Sequence, residues 1–181
     1  MSTLSLLRCA SLAAIVAGVL RILSSFLGST GDDIELLYLV IDLGLLVGLT
    51  GIYLSAHERT GILGFVGFAI AFPAAALIVG PDGVLYGVNL YQLGAGLLVL
   101  GLAILGAAQL RARIGRTMSS LAWIVAFVAA LATTIAGIRG PALVVTGVAF
   151  GFAFIAAGIE LWASAGSRPV GPATRGVENS Q

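Results

Sequence analysis

The stretch ELLYLVIDLGLLVGLTGIYLSA, residues 35–56, decides the fold. It exceeds the roughly 20 apolar residues that cross the hydrocarbon layer of a bilayer. Counted at about 100° per residue, a stripe of small residues lies on one side and a stripe with Tyr38 and Asp42 on the other. Small residues let a neighbouring helix approach closely, and a carboxylate within a span needs protein or water around it. The sequence therefore predicts a transmembrane helix inside a bundle, its small stripe formed by Gly44, Gly48, Gly51 and Ser55.

The composition is that of a membrane protein. Hydrophobic residues make up 59% of the 181 positions, charged residues 9%, and the mean hydropathy is +1.10, so the lipid bilayer is the expected partner. The nine basic residues are all Arg and form no basic stripe, which excludes a nucleic-acid partner. The single Cys9 excludes an internal disulfide and a cysteine-built metal cluster, and we expect neither metal nor cofactor. The abundant Ala and Gly beside an Arg-only basic set indicate a GC-rich bacterial genome.

Six apolar segments joined by short connections predict an all-α bundle of six transmembrane helices in which consecutive helices are antiparallel neighbours. This domain covers residues 1–163, and the polar, Gly/Pro-rich residues 164–181 are predicted to be a disordered cytoplasmic tail. The first segment is not expected to be a signal peptide, because Arg21 interrupts its apolar run and no small-residue cleavage site follows. The predicted spans are residues 5–27, 35–56, 61–80, 86–110, 119–138 and 141–163.

The loop charges predict the orientation. With the N-terminus inside, seven of the nine Arg residues lie on the inner side, as the positive-inside rule requires. We therefore predict a multi-pass protein of the plasma membrane with both termini in the cytoplasm. Glycines recur at a 50-residue offset, at Gly51, Gly101 and Gly151, which indicates a weak repeat of three helical hairpins. With 25 glycines in the chain, chance also explains the pattern.

Two pairs of charges lie at matching depths on predicted neighbours. Arg21 and Asp42 both lie roughly 10 Å from the outer ends of the first two spans, and Arg8 and Glu160 lie near the inner ends of the first and last spans. A lone charge at the centre of a span costs roughly 2.5–3.5 kcal/mol, and a partner offsets much of this. The Arg21–Asp42 pair is interpreted as a structural clamp or, alternatively, as a group that titrates or binds within a polar cavity. An Arg8–Glu160 ion pair would close the bundle.

Other polar side chains fall in the same outer half. Asn89 and Gln92 share a face of the fourth span, and Thr133 lies near the outer end of the fifth. With Arg21, Tyr38 and Asp42 they form a candidate intramembrane polar site open to the outside. The alternative is that they make interhelical hydrogen bonds, each worth around 0.6 kcal/mol.

Three further features have plain structural explanations. His57 stands in HERTG, which is not a zinc motif, and is expected to be a solvated loop residue. Pro73 is expected to kink the third span, or to mark a hinge beside a cavity. The inner loop with Arg111, Arg113 and Arg116 is interpreted as a determinant of topology, with attraction to anionic lipid headgroups as a secondary effect.

Three functional classes follow from these patterns. The first is a non-enzymatic structural, accessory or interaction protein, which uses the Gly-rich helix faces to bind a second copy or another membrane protein. The second is a small carrier or channel-like protein with its site at Asp42 and Arg21, since an ionisable residue within a span is a functional candidate by default. The third is a membrane-embedded enzyme. The sequence shows no constellation of nucleophile, base or metal ligands for it, so no catalytic residue is assigned.

Overall fold

The computed structural model describes residues 3–26, 32–78, 84–137 and 141–166. Within these ranges the five helices are each long and apolar enough to cross a membrane, by length and composition. This agrees with the predicted all-α membrane protein. The elements are α1 (Thr3–Ser24), α2 (Asp32–Ile78), β1 (Val84–Leu85), β2 (Val88–Asn89), α3 (Leu90–Arg111), α4 (Thr117–Ile135) and α5 (Pro141–Gly166).

Helix α2 consists of two arms that meet at Gly61. At this residue φ is 58° and ψ is −148°, which no helix contains. The rings of Tyr53 and Phe68 stack with their centroids 4.2 Å apart, although a straight helix would separate residues fifteen positions apart by about 22 Å. The first arm (residues 32–60) and the second arm (residues 62–78) therefore lie side by side.

This bend explains why five helical elements stand where six helices are predicted. The predicted spans 35–56 and 61–80 correspond to the two arms of α2, and the connection HERT, expected as a loop, is helical up to Gly61. A glycine takes these dihedral angles at little cost because it has no Cβ. Pro73, the expected kink, leaves the second arm helical, and Gly61 is the residue of α2 with non-helical dihedral angles.

A short hairpin connects the second arm with α3. Strands β1 and β2 pair antiparallel, with Val84 opposite Asn89 and Leu85 opposite Val88. The turn residues Tyr86 and Gly87 have φ of 51° and 80°, the positive values that a two-residue type I′ turn needs at both positions. Helix α3 therefore begins at Leu90 and not at the predicted residue 86.

The helices pack as a closed ring around an apolar core. Helix α1 lies between the first arm of α2 and α5, the second arm lies against α3, and α4 lies between α3 and α5. Apolar side chains of all five helices also point outward, as lipid-facing surfaces require. Among the largest fully buried side chains of the core are Ile41, Leu49, Ile52, Leu102, Leu105, Trp123, Phe154 and Leu161.

Glycines bring the backbones of neighbouring helices into contact. A Cβ at Gly18 of α1 would lie 2.6 Å from the carbonyl oxygen of Gly151 in α5, and a Cβ at Gly151 would lie 2.6 Å from that of Gly18. Gly51 meets Ala10, and Gly101 meets Ala71. The three glycines of the 50-residue offset thus all lie at helix contacts, while the repeat itself stays a prediction.

The ends of the elements differ by a few residues from the predicted spans. Helix α5 continues to Gly166, three residues beyond the predicted end at 163, and α1 ends at Ser24. The predicted end of the first span at residue 27 lies outside the described residues. So do residues 167–181, which make up most of the predicted disordered tail.

Candidate functional site

Arg21, Tyr38 and Asp42 come together where α1 meets the first arm of α2. The Arg21 Cζ lies 5.6 Å from the centroid of the Tyr38 ring, a cation–π contact. Asp42 is half-buried one helical turn from Tyr38, and the charge of Arg21 acts on its carboxylate. The described contacts include no ion pair between the two, because the guanidinium lies over the ring one turn before Asp42.

The space beside Asp42 is small. It is a cavity of about 10 Å³, room for about one water molecule. Apart from Asp42 its walls are apolar, and they come from both arms of α2, from α3 and from α5. The lining residues are Asp42, Leu45, Leu49, Ala75, Ile78, Leu98 and Phe154.

The other three residues of the predicted polar site have local partners. The Asn89 Oδ1 accepts a hydrogen bond from the Gln92 backbone N–H at 2.9 Å and so caps the N-terminus of α3. The Gln92 side chain is exposed. The Thr133 Oγ1 donates to the Ala130 carbonyl of its own helix at 3.0 Å. The described contacts of these three residues are local, whereas Arg21, Tyr38 and Asp42 lie together between α1 and the first arm of α2.

Arg8 and Glu160 do not contact each other in the described structure, and each has another partner. The Arg8 Cζ lies 5.4 Å from the centroid of the Trp162 ring. The Glu160 carboxylate accepts hydrogen bonds from the Met118 backbone N–H at 3.0 Å and from the Ser119 hydroxyl, both at the start of α4. Residues 160 and 162 point in directions about 200° apart on one helix, so α5 presents the tryptophan to α1 and the glutamate to α4.

Arg116 is the most deeply buried charged residue of the described chain, at 5% exposure. It precedes α4 as its N-cap residue, but its side chain extends back into the bundle. Its Nη1 donates to the carbonyl oxygen of Ile52 in the first arm of α2 at 3.2 Å, and its Nη2 donates to the Ser164 hydroxyl of α5 at 3.3 Å. One guanidinium therefore connects three helices.

Buried polar side chains surround this arginine. Ser119 and Ser120 are fully enclosed, and the Ser120 Oγ donates to the Gln109 Oε1 at 3.2 Å. Gln109 is 1% exposed, and its Nε2 has no hydrogen-bond partner among the described residues. With the half-buried Glu160 and the exposed Ser164, which contact Ser119 and Arg116, they form a group that we call the Arg116 cluster. Its members are Gln109, Arg116, Ser119, Ser120, Glu160 and Ser164.

The Arg116 cluster was not predicted, since Arg116 was grouped with Arg111 and Arg113 as a loop charge that determines topology. Arg111 and Arg113 are indeed exposed. The signal in the sequence was the set of polar residues near Arg116. A glutamine lies seven residues earlier in an apolar span, and Ser119 and Ser120 follow shortly after it. Buried polar groups need each other as partners, so their clustering at one end of the span marks a polar interior there.

The remaining titratable groups are dispersed. His57 is exposed and its Nδ1 lies 2.8 Å from the Leu54 carbonyl oxygen of its own helix, so the expected solvated residue stands on a helix and not in a loop. Cys9 is a free, exposed thiol. In the part of the chain that the structure describes, no group of three or more His, Cys, Asp or Glu side chains could hold a metal ion.

Fold and site together define an all-helical protein whose helices are suited to a membrane, with one polar group between α1 and α2 and another at the start of α4. Comparisons with models of protein families, with curated proteins and with solved structures find no match.

Proposed function

We propose that this chain is a non-enzymatic integral membrane protein of structural, accessory or interaction type. In this proposal α2 crosses the bilayer twice, so that the chain crosses six times, and both termini face the cytoplasm of a bacterial plasma membrane. The bend at Gly61 supports six crossings because it places the two arms of α2 side by side. The seven Arg residues on the inner side support the orientation.

The closely packed interior is the observation that carries the proposal. Backbones of neighbouring helices meet at glycines such as Gly18 and Gly151, and the space beside Asp42 holds about one water molecule. A passage for solutes needs a continuous polar path, whereas the walls of this cavity are apolar apart from Asp42. A closed bundle of this kind is suited to presenting its outer faces to other membrane proteins.

Site-specific photo-crosslinking in the native membrane tests this proposal. A photoreactive residue is placed at exposed positions of different helices, namely Val16, Val47, Val125 and Phe152. The proposal expects a discrete protein adduct, a second copy of the chain or one other protein, from one or two adjacent helices and lipid adducts from the rest. Lipid adducts alone from all positions would contradict an interaction role.

A small carrier with its site at Asp42 is the second candidate. It is favoured by one observation, the half-buried carboxylate beside a cavity and within the influence of Arg21. A carboxylate that serves stability leaves an uncompensated charge when its partner is removed. The test compares the melting temperatures of Asp42→Asn, Arg21→Gln and the double variant in mild detergent.

The two candidates differ in the outcome. The structural role expects each single variant to melt lower and the double variant to recover part of the loss. The carrier expects Asp42→Asn to melt as wild type or higher, and to abolish a solute or proton flux that wild-type vesicles show. Vesicles with wild-type protein that are as tight as empty vesicles would exclude the carrier.

A further inference from the structure

A second cavity, of about 220 Å³, lies beside the loop that joins α3 to α4. It is large enough for a group of several heavy atoms, unlike the cavity at Asp42. Its polar lining comes from the end of α3, the loop and the start of α4, with Gln109, Arg113, Arg116 and Thr117. None of the functions considered above uses this space.

Among the residues that the structure describes, the lining is basic and contains no carboxylate. Arg113 and Arg116 are both part of the wall. The nearby carboxylate of Glu160 is not part of it, and is already bound to the Met118 N–H and the Ser119 hydroxyl. Two guanidinium groups on one cavity favour an anion, and guanidinium matches the oxygens of a phosphate group in geometry.

A buried amide donor lies beside the same cavity. Gln109 lines the cavity and is almost completely buried, and its amide Nε2 has no hydrogen-bond partner among the described residues. Buried amide donors are nearly always satisfied by protein, water or ligand. The Nε2 atom has almost no accessible surface, so the groups that can meet a ligand are Arg113 and the Thr117 hydroxyl rather than the Gln109 amide.

We propose that this cavity binds a phosphate group, as an inorganic phosphate or as the headgroup of an anionic phospholipid. Leu110 and Ile114 also line the cavity, and their apolar surface suits the beginning of an acyl chain beside a headgroup. Arg113 contributes an exposed guanidinium that reaches the ligand, and Arg116 contributes one held in place by Ile52 and Ser164. The proposal is independent of whether the protein is an accessory protein or a carrier.

The test measures ligand binding to the purified full-length protein in nonionic detergent. Native mass spectrometry follows phosphatidylglycerol against phosphatidylcholine, and thermal melting follows inorganic phosphate against chloride at equal ionic strength. The site variant is Arg113→Gln. Arg111→Gln is the matched control, since Arg111 is an exposed arginine next to the same loop but does not line the cavity.

We expect the wild type to prefer phosphatidylglycerol or to be stabilised by phosphate, and Arg113→Gln to weaken that binding about tenfold, the loss of one charge-assisted hydrogen bond. Arg111→Gln should bind as wild type. Binding of the lipid without an effect of phosphate identifies a headgroup site; an effect of phosphate that competes with the lipid identifies a site for the free ion. Equal losses in Arg111→Gln and Arg113→Gln, or binding of neither ligand, would overturn the proposal.

Discussion

At the scale of single residues, Arg116 connects the start of α4 to two other helices. It is buried and hydrogen-bonded to α2 and α5, while the neighbouring Arg111 and Arg113 are exposed. An arginine presents several donors in a fixed planar fork, which lets one side chain bind acceptors on two helices. Its position therefore couples the start of α4 to the rest of the bundle.

Replacing Arg116 by Ala should lower the free energy of unfolding by about 3 kcal/mol, because hydrogen bonds of a charged group contribute about 1.5–3 kcal/mol each. Arg116→Lys should recover little of this, since an ammonium does not reproduce the fork. Arg111→Ala, the exposed control, should unfold as wild type. Unfolding in detergent with increasing dodecyl sulfate measures all three. An Arg116→Ala protein as stable as Arg111→Ala would refute the role of Arg116.

The sequence drew attention to the polar group between α1 and α2 but not to the Arg116 cluster. Arg21, Tyr38 and Asp42 were found because charges within an apolar span are conspicuous and helix geometry gives their depth. Arg116 was missed because it follows two arginines in a loop, where charge counting does not distinguish a solvated from a buried guanidinium. The Arg8–Glu160 pairing rested on depth alone, and the rotation of α5, which depth does not determine, directs Glu160 to α4.

At the scale of elements, glycines determine how closely the helices approach. Gly18 and Gly151 face each other across α1 and α5, with room for no further carbon atom. Without a hydrophobic force between helices in lipid, such close contacts supply much of the association energy. The small-residue stripes in the sequence predicted close helix packing, although not which helix would be the partner of each stripe.

Gly18→Ala should lower the melting temperature in mild detergent, with a loss of about 1–3 kcal/mol from overpacking. Gly96→Ala is the control, because a Cβ at Gly96 meets nothing within 4 Å. That variant should melt as wild type or slightly higher, since alanine favours the helix. Equal melting temperatures of the two variants would contradict the close packing of α1 and α5 at Gly18.

The bend of α2 lies in the backbone dihedral angles of Gly61. A Cβ at this position would meet nothing within 4 Å, but φ is +58°. Gly61→Ala should therefore cost about 1–3 kcal/mol through backbone strain, without any clash. Dodecyl sulfate titration against the Gly96→Ala control measures the loss. A Gly61→Ala protein as stable as the control would mean that the bend does not require a glycine.

The boundaries between elements were the least predictable part of the fold. The HERT segment was expected as a loop because it is the polar interval between two apolar runs, yet its residues remain helical up to Gly61. The hairpin at Tyr86 and Gly87 carries no Asn-Gly or Asp-Gly signal for its turn. In both places tertiary packing of the flanking helices overrides weak local preferences.

At the scale of the whole molecule, the helices form a ring in which α2 supplies two neighbouring arms. The stacked rings of Tyr53 and Phe68 hold these arms together. Side chains of both arms also line the cavity beside Asp42. If each arm crosses the bilayer, the bend at Gly61 and the turn at Gly87 lie on opposite sides of the membrane. The proposed orientation places the α3–α4 loop, and with it the proposed phosphate site, on the cytoplasmic side.

Cysteine labelling from the two sides of the membrane tests whether each arm of α2 crosses the bilayer. In a Cys9→Ser background, single cysteines at His57 and Tyr86, both exposed, are treated with an impermeant maleimide in sealed vesicles of known orientation. Tyr86→Cys should react from outside, and His57→Cys only from the cytoplasmic side. Met118→Cys, which marks the α3–α4 end of the bundle, should react from the same side as His57→Cys. Reaction of His57→Cys and Tyr86→Cys from the same side would contradict these crossings.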